Sequence, residues 1–293
     1  MNQNHFTVIG GDYRSVAVAQ KLSELGYTVS VFGFNSDVVF SGDITYAETL
    51  KEACENAAYI ILPLPYSRNA RFLNTPLYDS AISMVSFADT VKQGQMVFAG
   101  KIDEVFRSML EAKGIKFCDY SMREEFSVLN AIPTAEGALQ VAFKELPHTI
   151  NGSNCLVAGY GRIGKILSHF LHGLGAKVTV SARRQSDLAW IKSMGYTAVS
   201  SKDIKNLAHS FQVVFNTVPS CLFDRELLCR LSKDVLVVDL ASSPGGVDFE
   251  TAKKLGINAI HALSLPGKVA PHTAGTIIAT TVLNLIAEQE VNV

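Results

Sequence analysis

The sequence predicts an α/β fold of two domains, each built on a parallel sheet, and three observations predict it. Short apolar runs of strand character alternate with helical patterns along nearly the whole chain. A β-α-β opening occurs twice: VIGGDYRSVAVAQKLSELGYTVSVF and VAGYGRIGKILSHFLHGLGAKVTVS align without a gap, pairing Gly10 with Gly159, Leu25 with Leu174, Gly26 with Gly175 and Val31 with Val180. The chain has 293 residues, of which 48% are hydrophobic, more than one average domain needs and enough for two cores.

The first domain is expected over residues 1–130. Its strands are FTVIG (from Phe6), YTVSVF (from Tyr27), YIILPL (from Tyr59), MVFAG (from Met96) and IKFC (from Ile115). Between them SVAVAQKLSELG and IDEVFRSMLEAKG read as helices, each closing on the glycine that helix C-termini favour. From Thr134, TAEGALQVAFKEL reads as a connecting helix, with Pro133 suited to its first turn and Pro147 ending it. The second domain, 131–275, continues with CLVAG (from Cys155), the helix RIGKILSHFLHGLG, KVTVS (from Lys177), VVFNT (from Val213), VLVVDL (from Val235) and INAIHA (from Ile257). The apolar stretch Thr276–Ala287 is 12 residues long, against the roughly 20 that span a bilayer, and is expected as a buried helix or a contact between protomers.

The bulk numbers exclude several classes of function. With 26 basic and 27 acidic residues the net charge is −1, so no global field draws a nucleic acid or an anionic membrane. Five cysteines with no C-x-x-C pair are expected as reduced, buried thiols, and MNQNHFTVIGG lacks the pattern of a signal peptide, so a cytoplasmic location is expected. His169 and His172 have helical spacing but no third ligand near in sequence, so no metal is expected. No G-x-S-x-G or H-E-x-x-H occurs.

The two β-α-β copies differ in their glycines. Gly159, Gly161 and Gly164 complete G-x-G-x-x-G between a strand and a helix, the setting in which backbone amides face a pyrophosphate. In the first copy Asp12 and Ser15 replace the second and third glycines, and a carboxylate there is expected to repel phosphate. The second domain, from about Ile150 to Leu263, is therefore expected to hold a dinucleotide, with S-adenosylmethionine as the competing ligand. Where an acidic residue would bind the 2′-hydroxyl of NAD, the chain offers Ser181, Ala182, Arg183 and Arg184, which points to NADP. Two charge-assisted hydrogen bonds of about 1.5–3 kcal/mol each favour the 2′-phosphate by very roughly 10²- to 10⁴-fold, less if exposed. The expected cofactor contacts are Gly159, Tyr160, Gly161, Arg162, Ile163, Gly164, Ser181, Arg183, Arg184, Asn216, Thr217, Val218, Pro219, Ala241, Leu265 and Pro266.

For the chemistry, LSLPGKVAPHTAG supplies a turn at Pro266-Gly267 and two ionisable groups, Lys268 and His272; histidine titrates near neutrality, which makes His272 the acid/base candidate. Arg14, Ser67, Arg68, Arg71 and Arg123 follow first-domain strands or flank the connector. Arginines converging on one cleft between domains suit a small di-acid.

Together, VIGGDYR, NAIPTAEG, GYGRIG, NTVPS, DLASSPGG and LPGKVAPHTAG, in this order over nearly the full length, resemble the A subunits of dipicolinate synthases. The resemblance implies two Rossmann-like domains arranged as in D-2-hydroxyacid and alanine dehydrogenases, with the C-terminal helix, 276–293, packing back on the first domain. It further implies NADP-dependent oxidation of a dihydrodipicolinate-type precursor from the lysine pathway, in the mother cell of a sporulating bacterium, by a homo-oligomer acting with a flavoprotein-like B subunit. Within it, Arg14, Arg68 and Arg123 are expected as carboxylate clamps, Thr134 and Glu136 as cleft residues, and His272 or a water as proton acceptor. The family more usually has lysine where this chain has His272, while PHTAG is similar to the P-H-x-A-G segment of D-2-hydroxyacid dehydrogenases, which keeps that activity as an alternative; against it, DLASSPGG lacks their substrate arginine. A nucleotide-binding regulator of a flavoprotein, transferring no hydride itself, is the remaining alternative.

Overall fold

The structure, a computed structural model, describes residues 2–291. It divides into two compact units, Met1–Asn130 with Ala270–Val293, and Ala131–Val269. Unit 1 contains β1 (Asn2–Ile9), α1 (Tyr13–Glu24), β2 (Thr28–Phe32), β3 (Ile44–Tyr46), α2 (Leu50–Glu55), β4 (Ala57–Ile61), α3 (Met84–Thr90), β5 (Met96–Ala99), α4 (Glu104–Ala112), β6 (Lys116–Asp119) and the start of α5 (Glu124–Glu145). Unit 2 takes the rest of α5 and β7 (Asn154–Ala158), α6 (Arg162–Gly173), β8 (Lys177–Ala182), α7 (Gln185–Ser193), β9 (Thr197–Ser200), β10 (Val213–Asn216), α8 (Arg225–Leu228), β11 (Leu236–Asp239), α9 (Phe249–Leu255), β12 (Asn258–His261) and α10 (Leu265–Val269). The chain then returns to unit 1 as α11 (Pro271–Val291).

Each unit holds one six-stranded, all-parallel sheet: β3-β2-β1-β4-β5-β6 in unit 1, and β12-β11-β10-β7-β8-β9 in unit 2, which is the same order read from the other edge. The strands are runs of valine, isoleucine, leucine and phenylalanine because helices cover both sheet faces, giving two apolar clusters per unit. The gapless alignment of the two openings holds in space. His5 pairs with Thr28 and Ile9 with Phe32 across β1 and β2; their counterparts Asn154 and Lys177, Ala158 and Ser181, pair in the same register across β7 and β8.

Several expectations are corrected. The connecting helix starts ten residues before Thr134, at Glu124, and Pro133 lies in its interior rather than its first turn. Burial of Phe126, Ala131, Ala135 and Ala138 along α5 outweighs the lost backbone donor of the proline. The C-terminal helix starts at Pro271, not Thr276, so His272 and Gly275 are helical. Gly275 is required by packing: a Cβ there would stand 2.3 Å from the Arg14 carbonyl oxygen and 2.6 Å from Ala17 Cβ, so α1 and α11 touch backbone to backbone. Ile277, Ile278, Ala279, Val282 and Leu285 then fill unit 1's own core, and no described helix is long and apolar enough to cross a membrane. Pro266-Gly267 forms part of α10 instead of a turn.

The cysteines also differ from expectation: only Cys54 and Cys155 are buried, Cys118 is half-buried, and Cys221 and Cys229 are exposed. Burial pushes the Cys54 and Cys155 thiols up to about 12. Cys221 is raised by partial burial and by Asp224, Asp248 and Asp239. Because the thiolate is the nucleophile, a maleimide is expected to label Cys229 first, Cys221 more slowly, and Cys54 and Cys155 only after denaturation. Peptide mapping of a timed labelling reaction reads the order, and prompt labelling of native Cys54 or Cys155 would contradict it.

Candidate functional site

In both units the strand order reverses beside the first strand, between β1 and β4 and between β7 and β10, and open α/β sheets bind ligands at this switch point beyond the strand carboxyl ends. In unit 2 the β7–α6 turn lies there. Gly159 has φ +99°, and a Cβ on it would stand 2.4 Å from Thr217 Oγ1. A Cβ on Gly164 would stand 2.2 Å from the Gly159 carbonyl oxygen, so the third glycine lets helix lie on strand. Gly161, the N-cap of α6, is different: nothing lies within 4 Å of where its Cβ would be, and no side chain caps the helix. The first-turn amides of α6 thus face a space that the protein leaves open, which suits an anion.

The same turn in unit 1 is filled. Asp12 occupies the position of Gly161 as N-cap of α1, and its carboxylate accepts from the Arg14 backbone N–H at 3.0 Å, from Arg14 Nε at 2.9 Å and from an Arg14 guanidinium nitrogen at 2.8 Å. Arg14 also donates to the Leu64 carbonyl oxygen. This refines the expectation of simple repulsion: Asp12 closes the turn chiefly by satisfying it. Arg14, expected as a clamp, has its guanidinium engaged by Asp12 and Leu64 and its side chain 12% exposed.

Around the unit 2 turn, Thr217 donates to the Ala158 carbonyl oxygen through both N–H and Oγ1, each at 2.9 Å, tying β10's end to β7. Ser181, at the end of β8, is fully buried and its hydroxyl has no hydrogen-bond partner among the described residues. Arg183 and Arg184 follow it, both exposed, with Arg184 the N-cap of α7. Tyr160 is half-buried under the Lys165 ammonium, 5.5 Å from its ring centroid. Arg162 is exposed and Ile163 half-buried on α6's first turn.

Beside this turn lies a buried polar knot that sequence reasoning missed. Asp239, fully buried at the end of β11, accepts from the Asn216 side-chain amide at 2.8 Å and the Ala241 N–H at 3.1 Å through one oxygen, and from the Gly246 N–H at 2.7 Å through the other. Asn216 in turn donates to the Val218 carbonyl oxygen and accepts from its N–H, each at 3.1 Å. His261 Nε2 lies 2.9 Å from the Ala241 carbonyl oxygen, and its ring stacks on Phe249. Neither Gly245 nor Gly246 has room for a side chain: a Cβ would stand 2.6 Å from Asp239 Oδ2 or 2.3 Å from Asn216 Nδ2. The knot holds the loops after β10 and β11 together; an aspartate closing the apolar run VLVV is the signal that could have found it.

Other expected residues separate. Val218 is half-buried and Pro219 exposed beyond β10, whereas Ala241 and Leu265 are 4% and 5% exposed and Pro266 is buried. Leu265 packs in the core: a Cβ on Gly137 would stand 2.8 Å from Leu265 Cβ, so α5 and α10 lie in contact there. Glu136, expected at the cleft, is exposed and lines a cavity with Leu139, Phe143, His169, Phe170, Gly173 and Leu174, at the C-terminal half of α6. Thr134 is half-buried on α5. Arg123, expected as a clamp, is bound by Glu288 at 2.6 and 2.8 Å and by Glu125 at 2.7 Å within unit 1. Arg68, Arg71, Lys268 and His272 are exposed. No group of three or more histidine, cysteine, aspartate or glutamate side chains suited to a metal occurs among the described residues.

Residues 5–121 match the N-terminal domain of the dipicolinate synthase A subunit. The A subunit of dipicolinate synthase from Bacillus subtilis is 31% identical over 283 residues, covering 96% of this chain and 95% of that protein. The crystal structure of the corresponding A subunit from Bacillus halodurans has a TM-score of 0.88 at 30% identity, covering 97% of each chain. A transhydrogenase from Sinorhizobium meliloti, with a TM-score of 0.72 at 16% identity, and an L-alanine dehydrogenase, with 0.67 at 14%, share the fold. With sequence and structure matched over nearly the whole length, the chain belongs to the family of dipicolinate synthase A subunits.

Proposed function

We propose that this chain is the NADP-dependent dehydrogenase component of a dipicolinate synthase, oxidising a dihydrodipicolinate-type precursor to dipicolinate and acting with a B subunit. The observation that carries the reading is the contrast between the two turns: Gly161 leaves α6's first-turn amides open, whereas Asp12 fills the equivalent place in α1. One nucleotide site, in unit 2, is what that contrast supports. The amides of the Gly159–Gly164 turn would hold the pyrophosphate, and Ser181, whose buried hydroxyl lacks a partner, would gain one at the sugar end. Arg183 and Arg184 would bind a 2′-phosphate, since no acidic side chain stands there to receive a 2′-hydroxyl. The nicotinamide, when bound, supplies the hydride acceptor.

Oxidation of a partly reduced pyridine-2,6-dicarboxylate removes one hydride from a ring carbon and one proton from a neighbouring position, and aromaticity favours the product. The protein's task is to hold the carboxylates and receive the proton. Arg68 and His272 remain the groups for these roles, because they are exposed in unit 1 and have no competing partner among the described residues, unlike Arg14 and Arg123.

The test is turnover by the purified chain with freshly generated precursor, with NADP or NAD, and with and without the B-type partner. NADPH and dipicolinate in equal amounts from the chain alone support the dehydrogenase; tight NADP binding with no turnover until the partner is added would make this a component completed in the complex. Arg183→Ala/Arg184→Ala is expected to weaken NADP binding by about 10- to 100-fold, the exposed arginines giving less than buried ones, and to leave NAD binding unchanged. Equal losses for the two cofactors would refute the 2′-phosphate assignment.

A further inference from the structure

The duplication leaves a second place where a nucleotide's adenosine end would lie. Continuing the gapless alignment past β2 and β8 sets Phe32, Gly33 and Phe34 against Ser181, Ala182 and Arg183, the residues proposed to receive the sugar end in unit 2. In unit 1 these residues line a cavity of about 200 Å³ at the carboxyl ends of β2 and β3, completed by Tyr46, Glu48 and Tyr78. We infer that this cavity binds a nucleoside, an uncharged planar base on a ribose, without its phosphates.

The walls are aromatic and braced. Phe34 meets Phe40 edge-on at 5.1 Å, Phe40 meets Tyr46 edge-on at 5.4 Å, and the Tyr46 hydroxyl donates to the Val38 carbonyl oxygen at 3.0 Å. On the other side Phe32 and Tyr78 contact at 5.8 Å. Gly33, buried and with φ +80°, also lines the cavity; a Cβ there would stand 2.8 Å from Ile82, so glycine lets this segment pack closely against its neighbours. The volume is below the roughly 300–1,000 Å³ of sites for drug-sized ligands, which suits a base inside and a sugar at the mouth. Among the described residues no cationic side chain lines the cavity, and the charged group at its edge, Glu48, is exposed, a carboxylate suited to ribose hydroxyls and hostile to an anionic ring such as a pyridine dicarboxylate. The neighbouring helix N-terminus offers a phosphate nothing, because Asp12 already caps it and holds Arg14.

The inference uses the nucleotide reading of unit 2 for the comparison, so the test separates the two sites. Adenosine is titrated into the full-length chain by calorimetry, alongside Gly161→Asp, which disables the unit 2 turn, and Ala47→Phe and Tyr78→Ala, which fill the cavity and remove a wall; thermal melts establish folding. One saturable adenosine site is expected in wild type and in Gly161→Asp, weakened at least tenfold in each folded cavity variant, with AMP binding no tighter than adenosine. NADPH titration of the same proteins reports unit 2 independently. The inference is overturned by the absence of saturable binding to wild type at millimolar adenosine, by loss of binding in Gly161→Asp, by binding that survives both cavity variants, or by AMP binding tenfold tighter.

Discussion

Gly161→Asp is expected to leave the fold intact and to abolish binding of the phosphorylated cofactor, weakening NADPH by about 10³-fold or more. The substitution copies into unit 2 the residue that stands at this position in unit 1. Sterically it is free: Gly161 has φ −83°, a value any residue adopts, and nothing lies within 4 Å of the new Cβ. An aspartate N-cap matches or exceeds glycine by a few tenths of a kcal/mol, so the melting temperature should hold or rise slightly. The loss comes from charge. In unit 1 the Asp12 carboxylate is neutralised by Arg14, but the residue equivalent to Arg14 is Ile163, so the new carboxylate would compete for the α6 amides with no cation from that position. Two like charges about 4 Å apart at an effective dielectric of about 20 repel by about 4 kcal/mol, and the amides that would have received the phosphate are taken as well. Fluorescence titration with NADPH and a thermal melt read the two halves of the expectation. Near-normal affinity would show that the pyrophosphate does not bind at α6. Gly159→Ala is the contrasting control, because φ +99° and a Cβ 2.4 Å from Thr217 Oγ1 make it a structural lesion that lowers stability and binding together.

Much of the fold is legible because its signals are local. Ten apolar runs become ten central or flanking strands, since a strand buried on both faces must be continuous in hydrophobic residues. The two strands with no such signal, β3 and β9, are the short edge strands next to β2 and β8, where ITY and TAVS need bury only part of their surface. The fingerprint glycines Gly159 and Gly164 are legible for the same reason: each is forced by a turn or a close approach at the strand end. What stays hidden depends on distant partners. Arg123 reads as a free cation until Glu288, 165 residues later, returns on α11 to bind it. The helix through Pro133 is set by burial along α5, and propensity near the proline argues against it. Glu136 sits in a telling motif, but that it lines a cavity with the C-terminal half of α6 depends on how α5 and α6 pack, which sequence order does not reveal.

The buried aspartate of unit 2 is the other position where a single atom group has a large expected effect. Asp239→Ala removes the acceptor of three donors at once, the Asn216 side-chain amide and the N–H groups of Ala241 and Gly246, none of which can reach water in the packed knot around a fully buried residue. At about 1–3 kcal/mol for each unsatisfied group the sum is about 3–9 kcal/mol, a large fraction of a domain's total stability and a fall of roughly 10 °C or more in the melting temperature. Asp239→Asn keeps size and one acceptor oxygen but turns an amide nitrogen toward either Gly246 or the Ala241 and Asn216 donors, so it should lose an intermediate amount. The consequence for binding follows from connectivity. Asn216 holds Val218 at both N–H and carbonyl, and Asp239 holds Asn216; without the carboxylate the β10 loop is released next to the glycine turn to which Thr217 ties it. Cofactor affinity should therefore fall in Asp239→Asn even at temperatures where that variant is fully folded, although the carboxylate is buried and not expected to touch the cofactor. Calorimetric melts with NADPH titrations at low temperature separate the two effects. A melting temperature within about a degree or two of wild type for the alanine variant would mean that the loops after β10 and β11 are held by packing alone, and that the aspartate is not what sets the geometry of this edge of the site.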